Sequence, residues 1–140
     1  MSPEFESATE FRAVIDRVFS MMSEDPTMGP KLRDADVPQR FEFTDLEMVV
    51  NIRAGRPGEG NLAWEWSDDI HWEPKVKMSM TSETANRYFQ GKENVAIAIA
   101  RRRIKAGGDV KAALQIIPIT KPLFGHYREM IAADYPHLEE

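Results

Sequence analysis

The stretch YFQGKENVAIAIARRRIKAGGD, residues 88–109, decides the fold because it allows two interpretations. Apolar residues alternate with alanine from Val95 to Ile99 and could begin a buried strand. A single strand from Val95 to Ala106 would have about 12 residues, whereas strands usually have roughly five or six. Because alanine favours helix, we predict a helix over 93–100 and a strand over 101–106.

Length, charge and cysteine content narrow the class of protein. The chain has 140 residues, no cysteine and a formal net charge of -5 at pH 7. This length suits one domain, residues 1–140, that buries a core without disulfides or a zinc–thiolate site. The negative charge argues against nucleic-acid binding and allows at most transient membrane contact. Since the chain has no signal-peptide pattern and no run of roughly 20 apolar residues, a cytoplasmic location is expected.

Two periodicities divide the first part of the chain. Apolar residues recur from Phe11 to Met22 at the spacing of one helical face, and Ser7 and Glu10 form a capping box ahead of them. From Phe41 onward the period is two, which predicts a mainly antiparallel sheet with one apolar and one wetted face. Its first four strands are predicted over 41–44, 46–53, 62–66 and 75–80.

The second part of the chain adds a fifth strand and further helices. A helix capped by Thr81 or Ser82 is predicted to run to Gln90 and to end at Gly91, where glycine tolerates a left-handed conformation. In the strand over 101–106, the alternation directs Arg102, Ile104 and Ala106 inward.

The C-terminal segment contains two predicted helices. Gly107–Gly108 is expected to form a turn, and Asp109 to cap a short helix that ends before Pro118. Thr120 is expected to cap the last helix. All apolar faces then meet on one side of the sheet, which defines an α+β fold.

The inward-facing residues are rich in methionine, tryptophan and phenylalanine, so they either fill the core or leave a ligand cavity. Residues 76–118, VKMSMTSETANRYFQGKENVAIAIARRRIKAGGDVKAALQIIP, help to decide between these alternatives. Together with NLAWEW at 61–66 and TKPLF at 120–124, they resemble the sterol carrier protein family of nonspecific lipid-transfer proteins. The matching features are the strand ending at Ser82, the Gly91–Lys92 turn, the second helix, the basic strand and the Gly108–Asp109 turn.

The resemblance implies a five-stranded sheet with helices on one face that enclose an apolar tunnel for fatty acids, acyl-CoAs or sterols. It also favours the helix-then-strand interpretation of 88–109. Arg101–Arg102 stand where the family usually has a glycine, so a different tunnel mouth is expected. The chain ends in HLEE without the peroxisomal tripeptide of eukaryotic relatives, which favours a prokaryotic cytoplasmic protein.

The leading hypothesis is a lipid carrier that needs no cofactor, metal or catalytic residue. Its partner would be a lipid or another hydrophobic small molecule, held in the tunnel between sheet and helices. Lys92 and Arg102 are predicted to contact the head group. The apolar ligand-binding residues are predicted to be Phe19, Val50, Ile52, Trp64, Trp66, Met78, Met80, Phe89, Ile97, Leu123, Tyr127 and Met130.

Two other functions stay open at this point. An enzyme, or an accessory subunit of one, could use the same cavity with a buried ionisable residue such as His126 or Glu129. A homodimeric interaction module could instead cover its apolar surface with a partner. The sequence DDIHWE at 68–73 holds possible metal ligands, but we expect a wet acidic turn there.

Overall fold

The computed structural model describes residues 4–140, which form an α+β structure. None of the helices in this range combines the length and apolarity that a membrane crossing requires. In chain order the elements are α1 (Ala8–Glu24), α2 (Met28–Ala35), β1 (Gln39–Phe43), β2 (Met48–Ala54), β3 (Leu62–Glu65), β4 (Val76–Met80), α3 (Ser82–Phe89), α4 (Val95–Ala100), β5 (Lys105–Gly108), α5 (Val110–Thr120), α6 (Leu123–Asp134) and a 3₁₀ turn (Pro136–Leu138).

The five strands form one sheet in the order β3-β2-β1-β4-β5. Strands β1 and β4 run parallel, with Phe41 opposite Met78, and every other neighbouring pair is antiparallel. The predicted α+β class and the mainly antiparallel sheet are therefore confirmed. The single parallel pair arises because the chain crosses from the edge strand β3 over β2 and β1 before it forms β4.

One face of the sheet supplies its half of the core. Phe41 and Phe43 of β1 share this face with Val50 and Ile52 of β2, as the strand register requires. Helix α1 packs its buried stripe from Phe11 to Met22 in the same core. The predicted N-cap of α1 is confirmed, since Ser7 Oγ accepts a 3.0 Å hydrogen bond from the backbone N–H of Glu10.

The opposite face of the sheet is partly covered by the loop between β3 and β4. Arg40 of β1 donates to the carbonyl oxygen of Asp68, and Asn51 of β2 donates through Nδ2 to the carbonyl oxygen of Ser67. Asn51 is fully buried, and its Oδ1 has no hydrogen-bond partner among the described residues. The loop at 67–75 thus lies across the face that the sequence pattern predicted to be simply wetted.

Residues 88–109 fold as helix and then strand, as predicted, but the strand begins at Lys105 and not at Arg101. Helix α4 ends at Ala100, and Arg103 and Ile104 both donate backbone N–H groups to the carbonyl oxygen of Ala98. Arg102 has φ 62° in this turn and is exposed, so its predicted inward orientation was wrong. Burial of Ile104 fixes the turn and delays β5 until Lys105.

The predicted turn at Gly107–Gly108 was also wrong, because both glycines belong to β5. Gly108 lies opposite Val76 with φ 75°, and a Cβ there would lie 2.4 Å from the carbonyl oxygen of Lys75. The close approach of these two strand ends requires glycine. Glycine therefore marks backbone contact here, and the chain turns only at Asp109, which caps α5 as predicted.

Helix α5 is longer than predicted, since it continues through Pro118 to Thr120. Pro118 lies in the last turn of α5, where its missing N–H removes one intrahelical hydrogen bond close to the end of the helix. Thr120 does not cap α6, because its hydroxyl donates to the carbonyl oxygen of Ile117 within α5. Helix α6 begins after Pro122, with no side-chain cap.

Candidate ligand-binding cavity

A cavity of about 110 Å³ lies between the inner face of the sheet and the helices. Strands β1, β2, β3 and β4 form its floor, and helices α1 to α6 contribute to its walls. Most of the side chains around it are apolar. The lining consists of Ile15, Phe19, Met22, Leu32, Val37, Gln39, Phe41, Phe43, Ile52, Arg53, Ala54, Leu62, Met78, Met80, Ala85, Tyr88, Phe89, Val95, Ile104, Ala113, Ile116, Ile117, Thr120 and Leu123.

The cavity lining is partly exposed at the end where β1 begins. Val37, Gln39 and Ala54 are partly exposed there. Four residues further along β1, Phe43 is buried beside Met80, its partner in β4. Four residues of strand correspond to about 13 Å, so the lining extends over this distance from Gln39 to the buried pair Phe43 and Met80.

Two of the four polar lining residues hydrogen-bond to each other. The hydroxyl groups of Tyr88 and Thr120 lie 3.2 Å apart, and Thr120 also donates to the carbonyl oxygen of Ile117. Burial raises the pKa of the Tyr88 phenol, which keeps it in the protonated form. This pair holds α3 against α5 and offers a ligand little free hydrogen-bonding capacity.

Arg53 is held by an acidic partner. Its two terminal nitrogens donate to the two carboxylate oxygens of Glu59, each at 2.9 Å, and Nη1 also donates to the carbonyl oxygen of Ala54. The Arg53 guanidinium and the backbone N–H of Arg56 lower the pKa of Glu59 to about 2. The positive charge of Arg53 is therefore neutralised by a bidentate pair, a geometry that carboxylates favour strongly.

Six of the predicted ligand-binding residues lie in the lining of this cavity. They come from α1, β2, β4, α3 and the start of α6. Their spacing along the chain spans more than one hundred positions, and the sheet register and helix packing bring them together. These six residues are Phe19, Ile52, Met78, Met80, Phe89 and Leu123.

Two predicted aromatic residues pack beside α1 without lining the cavity, since the Trp64 ring lies 5.5 Å from Phe19 and the Trp66 ring 6.4 Å from Phe11. Trp64 and Trp66 donate their indole N–H groups to the same oxygen of Asp16, at 3.0 and 2.7 Å. Arg12 lies over the Trp66 ring, 5.6 Å from its centroid. Both rings are half-buried outside the cavity lining, where they fasten the edge strand β3 to α1.

Three further predicted residues are buried away from the lining. Val50 and Tyr127 are fully buried, and Met130 is 6% exposed. The hydroxyl of Tyr127 donates to Oδ1 of Asn86 at 2.6 Å, so this ring lies between α6 and α3. All three belong to the same continuous apolar core as the lining residues, which is why the sequence pattern did not separate them.

The remaining three predicted residues lie on the surface. Ile97 is 48% exposed on α4, and Lys92 and Arg102 are exposed in the segments on either side of this helix. None of the three lines the cavity. Their contact with a ligand head group or tail stays a prediction.

Gln39 is a lining residue that the sequence analysis missed. It precedes Phe41 and Phe43 by the period of two that marked β1, so the alternation directs it inward. The signal was present but the predicted strand began two residues too late.

The ionisable residues considered for catalysis lie outside the cavity. His126 and Glu129, which were named for the enzyme hypothesis, are both exposed on α6 and do not line the cavity. Asp68, Asp69 and His71 are exposed in the loop after β3.

A different group of ionisable residues lies at the N-terminal end of α1. Within the described range, ligating atoms of Glu6, Glu10 and His137 lie within 4.8 Å of one another. His137 Nε2 and Glu10 Oε1 are 2.7 Å apart, and the same carboxylate oxygen accepts from the backbone N–H of Glu6. These contacts join the C-terminal segment to the start of α1 at the surface.

Comparison with solved structures identifies the fold. The sequence matches no protein-family model, and no curated protein matches it. The inverting sec-alkylsulfatase Pisa1 of a Pseudomonas species aligns with 75% of this chain at a TM-score of 0.61 and 19% identity, and the chain spans 16% of that enzyme. The ubiquinone synthesis protein UbiJ-SCP2 aligns with 86% of this chain and 95% of its own, at a TM-score of 0.62 and 6% identity.

Sterol carrier protein 2 of Yarrowia lipolytica in its apo form is another structural neighbour. It aligns with 86% of this chain and 96% of its own length, at a TM-score of 0.56 and 14% identity. The described residues thus have the fold of a sterol carrier protein 2 domain, as the sequence resemblance predicted. At these identities the likeness concerns the fold alone.

Proposed function

We propose that this protein binds and carries a hydrophobic small molecule, such as a fatty acid, an acyl-CoA or a sterol-like lipid. The observation that carries the proposal is the apolar cavity between the sheet and the helices of a sterol carrier protein 2 fold. A ligand would enter at the partly exposed end near Gln39 and extend toward Phe43 and Met80. Extension of the cavity into a tunnel when a ligand is bound is part of the proposal.

Apolar burial supplies enough free energy for such binding. Each methylene removed from water contributes about 0.8 kcal/mol, so ten methylenes contribute about 8 kcal/mol before the cost of ordering the chain. A binding free energy of about 8 kcal/mol corresponds to a dissociation constant near 1 μM. Methionines such as Met78 and Met80 adapt their side chains to different shapes, which favours tolerance of several ligands.

We propose carriage without chemical conversion of the ligand. Catalysis by general acid or base requires an ionisable group within hydrogen-bond reach of the reacting atoms. Among the lining residues, Arg53 is paired with Glu59 and Tyr88 with Thr120. His126 and Glu129, which motivated the enzyme hypothesis, are exposed outside the lining.

Native mass spectrometry of the purified protein tests the proposal directly. We expect a fraction of molecules to carry one bound lipid, which denaturing extraction would release for identification. If the protein is empty, incubation with vesicles that contain mixed lipids should load it. A protein that stays empty after both treatments would contradict carriage of this class of ligand.

A matched pair of variants tests whether the ligand binds in the cavity. Ala113 lines the cavity, whereas the adjacent Ala112 is half-buried outside the lining. Ala113→Leu places three additional carbon atoms in the cavity and should weaken binding of a fluorescent fatty acid about tenfold or more. Ala112→Leu should bind as the parent does. Equal binding by the two variants would show that the ligand lies elsewhere.

A further inference from the structure

Gln39 is a polar member of the cavity lining at the end where β1 begins. It lies opposite Ile52 in β2 and Val76 in β4, both of them buried on the inner face of the sheet. Gln39 itself is only half-buried and is a member of the cavity lining. A ligand that enters the cavity would therefore pass this amide.

The Gln39 amide has its hydrogen-bonding capacity available. Within the described residues, the side-chain amide of Gln39 makes no hydrogen bond to another protein group, although its neighbour Arg40 does. The other polar lining residues are committed, Arg53 to Glu59 and Tyr88 to Thr120. An amide offers two N–H donors and a carbonyl acceptor on one group.

The charge around the cavity disfavours a buried ionised head group. Arg53 is the charged residue among the described residues of the lining, and Glu59 neutralises it through two 2.9 Å hydrogen bonds. A carboxylate or phosphate buried within the cavity would find no unpaired cation among the lining residues, and burying an unpaired charge is costly. A hydroxyl or carbonyl group has no such cost once it is hydrogen-bonded.

We propose that Gln39 determines ligand specificity by binding a neutral polar head group. The ligand class is a long-chain or polycyclic molecule with a hydroxyl or carbonyl group, in preference to one with an ionised acid. The amide donates to or accepts from this group at the partly exposed end. The apolar body extends along β1 toward Phe43 and Met80. This inference rests on the proposed carrier function and deepens it.

Displacement of the neutral fluorescent probe N-phenyl-1-naphthylamine measures the preference. At pH 8 the competitors are 1-dodecanol and dodecanoate, which have equal chain lengths. We expect 1-dodecanol to displace the probe from the parent protein at a lower concentration than dodecanoate does. Gln39→Leu should weaken 1-dodecanol binding about threefold to tenfold, the effect of losing one hydrogen bond. The affinity of each variant for the probe is measured directly, and competitor affinities are calculated from that value.

Two further variants test whether the head-group preference depends on the side chain at position 39. Gln39→Arg introduces a cation at the same position and should increase dodecanoate affinity about tenfold with no gain for the alcohol. Gln115→Leu changes an exposed glutamine of α5 outside the lining and should leave both competitors unaffected. Thermal unfolding of each variant checks that the fold is intact.

The outcomes separate this inference from the carrier function. If Gln39→Leu binds 1-dodecanol as the parent does while Ala113→Leu weakens it, the cavity is used but Gln39 does not select the head group. Tighter binding of dodecanoate than of 1-dodecanol by the parent would also overturn the neutral head-group class. If neither competitor nor the probe binds the parent, both the inference and the carrier function are wrong.

Discussion

The phenol of Tyr127 donates a 2.6 Å hydrogen bond to Oδ1 of Asn86, and Asn86 Nδ2 in turn donates to the carbonyl oxygen of Leu138 at 2.9 Å. Gln90 Nε2 donates to the same carbonyl, also at 2.9 Å. This chain of bonds joins α6, α3 and the C-terminal segment inside the core. Burial raises the pKa of Tyr127, so the phenol stays a donor at all ordinary pH values.

Tyr127→Phe should destabilise the fold without weakening ligand binding. The variant leaves the buried Oδ1 of Asn86 without its donor, which costs about 1–2 kcal/mol. Tyr127 does not line the cavity, so affinity for a fluorescent fatty acid should be unchanged. Urea unfolding measures the loss of stability. An unchanged free energy of unfolding, or a large loss of affinity, would contradict this assignment.

Met80 and Met130 form a matched pair that separates the cavity from the surrounding core. They are 8% and 6% exposed, but only Met80 belongs to the lining. Truncation of either to alanine should lower the free energy of unfolding by about 2–3 kcal/mol, because both lose buried contacts. Met80→Ala should also lengthen the preferred acyl chain in a series from C10 to C18, while Met130→Ala should keep the preference of the parent. The same shift in chain-length preference in both variants would contradict the assignment of Met80, and not Met130, to the cavity lining.

The same pair shows how far the sequence could predict the site. Periodicity placed both methionines on apolar faces, and both proved buried. Periodicity carries no information about which buried faces meet tightly and which leave a gap, because that depends on the packing angles between elements. The lining could therefore be predicted only as a subset of the core.

The fold itself was predictable where local pattern and tertiary packing agree. Helix α1 and strands β1 to β4 have long runs of one period, and the structure contains each of them. The start of β5 was not predictable because the turn at Arg102 depends on the burial of Ile104, a tertiary effect. Gly108 was misread for a related reason, since its close neighbour Lys75 is distant in sequence.

Asp16 should be important for the attachment of β3 to α1. Its Oδ1 accepts from both Trp64 and Trp66, so Asp16→Ala removes two charge-assisted hydrogen bonds and should cost about 2–3 kcal/mol. Tryptophan fluorescence should shift to longer wavelength as both indoles gain contact with water. Asp134→Ala is the control. Asp134 forms an exposed ion pair with Arg17, which lies in α1 next to Asp16, and this pair should contribute at most about 1 kcal/mol. Equal effects of the two substitutions would argue against a structural role for the shared carboxylate.

Asp25 should make the stability of the region around α2 dependent on pH. Its Oδ1 accepts from the backbone N–H groups of Met28 and Thr27, at 2.7 and 2.9 Å, in the first turn of the helix. These bonds, the one from Met28 first, lower the pKa of Asp25 in the folded state. Asp25→Ala should lower the free energy of unfolding at pH 7 by about 1 kcal/mol, the usual effect of losing a helix cap.

The sign of the pH dependence follows from the lowered pKa of Asp25. In the unfolded chain an aspartate titrates near about 3.9, so the stabilisation is fully present above that pH and is lost as the pH falls through the lower folded pKa. The difference in stability between the parent and Asp25→Ala should therefore be constant from pH 7 to pH 5 and narrow below about pH 4. Asp25→Asn keeps an acceptor oxygen and should show a smaller loss with no such narrowing. A difference between parent and Asp25→Ala that stays constant to pH 2 would show that the carboxylate form of Asp25 is not what stabilises the start of α2.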